Sequence, residues 1–208
     1  HVLSKTMGAV EMGWIQTGSG TVLNRLKPVV GESLVVFGCG AVGLSAIMAA
    51  KLTGCSQIIA VDIHASRLAL AGELGATHQI NGKEQDAVAV IKQITGKGAH
   101  YAVETTGVSA IVLQAVHAVK PLGTVAIVGF TGDITLNVQN DLMAEGKSLV
   151  GVIEGDAVPA LFIPLLVQLY KQGKFPIDKL IARYPLADIN QAFADSASGK
   201  VIKPVVVM

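Results

Sequence analysis

The stretch "VVFGCGAVGLSAIMAAKLTGCSQIIAVD", residues 35–62, places Gly38, Gly40 and Gly43 between two apolar runs and closes on a lone acid, Asp62. Residues 33–37, "SLVVF", form a short continuous apolar run, β-branched at its centre, as a strand buried on both faces requires. Residues 41–52 are apolar nearly all round and read as a buried helix. "QIIAV" (57–61) reads as the next strand.

Each glycine of Gly-x-Gly-x-x-Gly has a physical task in a strand–turn–helix. The first permits the tight turn. The second lets a pyrophosphate approach the backbone, and the third lets helix and strand pack closely. The helix N-terminus then offers free N–H groups and partial positive charge to phosphates. Asp62 lies 19 residues past Gly43, at the end of the second strand, where a carboxylate accepts bonds from the ribose hydroxyls of an adenosine. The bare glycine pattern is weak evidence, but this strand–turn–helix–strand–Asp context makes it specific for a dinucleotide. A 2′-phosphate would face the charge of Asp62, so NAD is expected over NADP. His64 and Arg67 are the counterweight, as groups able to receive such a phosphate.

Outward from this stretch, the same alternation continues. Helix 65–74 ends at Gly75, followed by strand 78–80, a helix within 84–95, strand 101–104 and a helix over 109–119. A turn at Pro121-Leu122-Gly123 leads to strand 124–128, and "SLVGVI" (148–153) reads as a sixth strand. Strands alternating with such helices imply βαβ units, right-handed crossovers and helices on both faces of a parallel sheet. After residue 153 the rhythm changes. One helix is expected to start near Pro159 or Pro164 and stop at Gly173, and a second to span 187–195. "VIKPVVV" (201–207) reads as an edge strand, because Pro204 cannot donate to a ladder. No internal repeat is evident.

Composition narrows the classes further. The chain has 208 residues, 51% apolar, with a formal net charge of +1. It carries no basic stripe of the kind a nucleic-acid surface needs. Mean hydropathy is high, at +0.55. The longest uncharged stretch, residues 33–50, falls short of the ~20 residues a membrane span needs and has Gly-x-Gly within it. Cys39 and Cys55 have neither C-x-x-C spacing nor a paired-histidine companion, which argues against a disulfide framework or a structural zinc and for a reduced, cytoplasmic protein. The chain begins at His1 with no signal-peptide pattern, as a fragment or processed chain would.

The stretch over residues 34–81, with "YAVETTG" (101–107), "GTVAIVG" (123–129), "FIPLLVQLYKQGKFPIDKLI" (162–181) and "DINQAFADSASGKVIKPVV" (188–206), resembles the coenzyme part of zinc-dependent, medium-chain alcohol dehydrogenases. With "IQTGSG" (15–20) it looks closest to the aryl-alcohol (benzyl alcohol) dehydrogenases. The resemblance implies a doubly wound, parallel, six-stranded Rossmann sheet over residues 21–153. Residues 1–20 would lead in from a catalytic domain mostly missing from the chain, and 154–208 would return to it. It implies that Gly38, Gly40, Val42 and Gly43 line the pyrophosphate and nicotinamide side, and that Asp62 and Arg67 hold the adenosine ribose. Thr105 and Thr106 would sit near the adenine. Val128, Gly129 and Thr17 would lie on the nicotinamide side, and Lys203 at the pyrophosphate. It also implies an alcohol or aldehyde substrate and a homo-oligomer.

One departure concerns metal. The family places a zinc-ligating cysteine where this chain has Gly13, which has no side chain to offer. Zinc needs three or four convergent ligands, and His1, His64, His78, His100 and His117 fall singly on different elements. Zinc is therefore expected only in a full-length family enzyme. This chain is expected to bind NAD without turning over alcohol. The alternative is a non-catalytic NAD-binding or assembly module. Tyr170 and Lys174 match the Tyr-x-x-x-Lys string of short-chain dehydrogenases, but Gly173 between them puts the pair at a helix end. A methyltransferase would close its sheet with an antiparallel hairpin, which the pattern after Gly123 lacks.

Overall fold

The computed structural model describes residues 9–207; His1 lies outside them. Three β-branched or aromatic residues in a row, Val35, Val36 and Phe37, commit Ser33–Phe37 (β1) to the centre of a sheet, and all five residues of the strand are buried. Around it lie Gln57–Asp62 (β2), His78–Asn81 (β3), Ala99–Glu104 (β4), Val119–Ile127 (β5) and Ser148–Gly151 (β6). The six strands run in the order β3-β2-β1-β4-β5-β6, and every neighbouring pair is parallel. This is the doubly wound order.

The helices between them are Ala41–Thr53 (α2), Ala65–Leu74 (α3), Ala87–Thr95 (α4) and Ser109–Ala118 (α5). Ahead of β1 stands Ala9–Gly20 (α1), which widens into a π-helical turn over Thr21–Leu26. The strand period of two divides the core cleanly. Leu34, Val36, Ile58, Ala60 and Val103 point to the layer that holds α2 and α3, whereas Val35, Phe37, Ile59, Val61 and Ala102 point to the layer under α4 and α5.

Beyond the sheet come Pro159–Lys171 (α6), Ile181–Pro185 (β7), Ile189–Ala197 (α7) and Lys203–Val207 (β8). β7 and β8 form a separate parallel pair, with Pro204 opposite Ala182. This C-terminal segment is anchored by Phe175, Ile177 and Leu180, all buried in the core layer beside α2.

The structure departs from the sequence-based expectations at several points. α1 was not anticipated as a helix, nor β7 as a strand. The expected turn at 121–123 lies inside β5: the register jumps from Ala99↔Val119 to Tyr101↔Thr124, and Leu122 takes φ +64°. The chain thus turns there as expected but rejoins the same ladder. α4 falls within the expected 84–95 and starts at Ala87, where the Asp86 carboxylate caps it, accepting from Ala89 N at 3.1 Å. α6 starts at Pro159, in the first-turn position where a missing N–H costs nothing, and tolerates Pro164 inside.

Candidate functional site

The strand order reverses between β1 and β4. Their following helices, α2 and α5, cover opposite faces, so a crevice opens between the carboxyl ends of the two strands, where ligands of such sheets bind. Phe37 and Glu104 stand in register there, and Gly38 and Thr105 are the next residues on each side.

Gly38 turns the chain at φ +90°, and its amide donates to Val61 O at 2.8 Å. A Cβ on it would stand 2.5 Å from Thr105 Oγ1. Thr105 Oγ1 itself donates to Phe37 O at 2.9 Å and Gly38 O at 3.1 Å, tying the two turns together. Gly43 faces inward, where a Cβ would overlap the Gly38 carbonyl. Gly40 faces the open crevice, and a Cβ there would meet nothing within 4 Å. Gly40 caps α2: the first helical bond runs from Leu44 N to Gly40 O at 2.8 Å. The amides of Ala41, Val42 and Gly43 precede that bond and have no partner within the helix.

Asp62, 8% exposed, closes β2. Its Oδ2 accepts from Cys39 N at 2.7 Å and its Oδ1 from His64 N at 2.8 Å. Two backbone donors therefore fix the carboxylate and leave lone pairs on both oxygens free. The adjacent Cys39 thiol is buried; burial first, then the Asp62 charge, pushes it far above the usual thiol range. It is a neutral packing group rather than a nucleophile.

Glu104 is fully buried. Its carboxylate accepts from Thr106 N at 2.7 Å, from the Thr106 hydroxyl and from Gly107 N at 3.2 Å, which shapes the turn after β4.

These turns enclose a cavity of about 570 Å³, with Gly38, Gly40, Val42, Asp62, Arg67, Thr105 and Thr106 on its wall. Seven of the twelve residues singled out in the sequence therefore share one surface. Arg67 Nε is buried there without a hydrogen-bond partner among the described residues. Gly43 lies behind that wall. Val128 and Gly129 follow β5, their amides donating to Glu104 O at 2.9 and 3.1 Å. The Thr17 hydroxyl bonds back within α1 to Gly13 O at 2.7 Å. Lys203, on β8, lies over the ring of Trp14, 5.1 Å from its centroid.

Trp14, His64 and Val108 also line the cavity. Sequence reasoning did not single out Trp14 or Glu104. For Glu104 a signal existed: an acid ending the apolar run "YAVE" must find donors, and the following Thr-Thr-Gly supplies them. Trp14 carried no such signal, because only the packing of α1 against the start of α2 brings it to the cavity. Among the described residues no group of three or more His, Cys, Asp or Glu side chains could hold a metal ion. His100 Nδ1 instead meets Ser33 Oγ at 2.8 Å, and His117 meets Asp141 at 3.1 Å. No helix among the described residues is long and apolar enough to cross a membrane.

Comparison with known proteins adds a family. Residues 41–171 match the family model described as "Zinc-binding dehydrogenase". The chain is 38% identical to geraniol dehydrogenase of Castellaniella defragrans, over 100% of this chain and 60% of that protein. It is 33% identical to alcohol dehydrogenase 1 of Pisum sativum, over 93% of this chain and 52% of that one. Among solved structures, benzyl alcohol dehydrogenase from Acinetobacter calcoaceticus superposes with a TM-score of 0.89 at 51% identity, covering 92% of this chain and 54% of that one. 2R,3R-butanediol dehydrogenase from Bacillus subtilis gives 0.83 at 29% identity, over 95% and 57%. The chain spans about half the length of the curated relatives it matches.

Proposed function

This chain belongs to the zinc-binding dehydrogenase family, and on that premise we propose that it is the coenzyme-binding part of an NAD-dependent alcohol dehydrogenase. One observation carries the reading: the oriented carboxylate of Asp62 and the first residues of α2, Ala41 and Val42, line one cavity at the switch point of the sheet.

The residues present fit NAD. The amides of Ala41, Val42 and Gly43 and the positive end of α2 suit a diphosphate. Asp62 holds the adenosine ribose through its free lone pairs, with Arg67 beside it, and Thr105 and Thr106 flank the adenine. Val128, Gly129 and Thr17 serve the nicotinamide side, and Lys203 the diphosphate. Bound NAD supplies a hydride acceptor, and the chain's own contribution is to orient it and to exclude water. Zinc finds no ligand set among the described residues. Residues 21–153 act as the coenzyme domain, while 1–20 and 154–208 belong with catalytic-domain structure. In the full-length enzyme the substrate is an alcohol or aldehyde, aryl alcohols such as benzyl alcohol fitting the likeness best. The protein works in the cytoplasm as a homo-oligomer.

Equilibrium titration of the purified chain tests this. NADH is expected to bind about tenfold or more tightly than NADPH, one ~1.4 kcal/mol step set by the Asp62 charge. NAD with benzyl alcohol should give no sustained rise of NADH absorbance. Tighter NADPH binding would overturn the cofactor assignment, and steady turnover would overturn the division of labour.

A further inference from the structure

A lysine on a short two-stranded sheet ordinarily extends into solvent. Lys203 instead rests its ammonium over the Trp14 ring, 5.1 Å from the centroid, within the range of a cation–π contact. Two concavities meet at this pair. The large cavity has Trp14 and Ala41 on its wall, and a small neighbouring cleft is lined by Trp14, Ala41, Leu180 and Lys203. Ala41 opens α2 and carries one of its unpaired amides. Lys203 therefore shares a cleft with the positive end of that helix.

That placement is unfavourable without an anion. The helix N-terminus carries partial positive charge, and Arg67 lies on the same cavity wall. Neither Lys203 nor Arg67 is in an ion pair among the described residues. The aromatic face compensates part of the repulsion and restrains a flexible four-carbon stem that would otherwise sample many rotamers. It uses the charge while leaving N–H donors available.

We infer that Trp14 is a positioning residue for dinucleotide binding: it holds Lys203 at the rim of the cavity, so that the ammonium joins the first-turn amides of α2 in receiving a diphosphate. This rests on the dinucleotide reading above. Trp14 is the sole tryptophan of the chain and about half exposed, so its replacement leaves the core intact.

The test titrates NADH and adenosine against wild type, Trp14→Ala, Trp14→Phe, Lys203→Met and the double variant Trp14→Ala/Lys203→Met, with thermal melts to confirm folding. Trp14→Ala is expected to weaken NADH binding about three- to fivefold, the scale of one exposed cation–π contact, and Trp14→Phe to recover most of that loss. Adenosine, which has no phosphate, should bind all variants alike. The double variant should be no weaker than Lys203→Met, because Trp14 acts through the lysine. Unchanged NADH affinity in Trp14→Ala overturns the inference. So do additive losses, or a parallel loss of adenosine binding, either of which makes Trp14 merely structural. Failure of the wild type to bind NADH removes the dinucleotide reading and the inference together, and the wild-type titration alone identifies that case.

Discussion

At the scale of single residues, Gly38 and Gly40 look alike in the sequence and differ in what they cost. Gly38 stands at φ +90° with no room for a Cβ, whereas Gly40 has extended backbone and open space before it. Gly38→Ala is expected to destabilise the fold by about 1–3 kcal/mol, from strain and the clash with Thr105. Gly40→Ala should leave the melting temperature within a degree or two, since a substitution that meets neither strain nor a clash stays within about 0.5 kcal/mol. Its methyl group points into the crevice, so it should weaken NADH binding. Thermal melts and NADH titrations of the two variants separate these effects. Residue types and spacing made the glycines and Asp62 legible in the sequence. What could not be read was that two backbone amides aim the Asp62 carboxylate, because Cys39 reaches it from 23 positions away.

At the scale of elements, helices with strong end signals were legible. Gly75 ends α3 where expected, its amide donating to the carbonyls of Ala71 and Gly72. α1 was missed because "AVEMGWIQTGSG" is rich in glycine, a poor helix former; tertiary contact decides it. Gly18 packs directly on Val42 and Ser45 of α2, and Gln16 and Asn24 donate to the turn at 154–156. In the C-terminal segment, Asp195 of α7 joins several pieces that sequence spacing does not connect. It accepts from the Tyr184 hydroxyl of β7 at 2.7 Å, from Gln191 at 2.8 Å and from Lys200 at 3.3 Å. The Tyr184 bond first, then those of Gln191 and Lys200, hold its carboxyl below the ordinary value. The unfolded chain therefore binds the proton more readily. The stabilisation is complete above the ordinary carboxylate range near pH ~4 and drains away as pH falls through the depressed folded value. Asp195→Asn should melt below wild type at pH 7, and the gap should shrink as pH falls below the ordinary carboxylate value. A gap independent of pH would contradict this account.

At the scale of the whole molecule, the doubly wound sheet was legible because each βαβ step has the same period and the same handedness, so strand order follows from few choices. The division of the core into two layers follows from the strand period alone. The return segment was not legible in that way. Its short β7–β8 pair has no alternating pattern, and it is held by Phe175, Ile177 and Leu180 reaching back under α2. On α6, Leu161 and Leu165 are exposed, whereas Leu169 packs against the core. The cavity at the switch point ties these scales together. It needs the order of the sheet, the free end of α2 and the fixed carboxylate of Asp62 at once. A crystal structure of the chain with NADH tests that most directly. The account predicts diphosphate density over the turn from Gly38 to Gly43, with the adenosine ribose against Asp62. Density elsewhere, or none at saturating NADH, would contradict it.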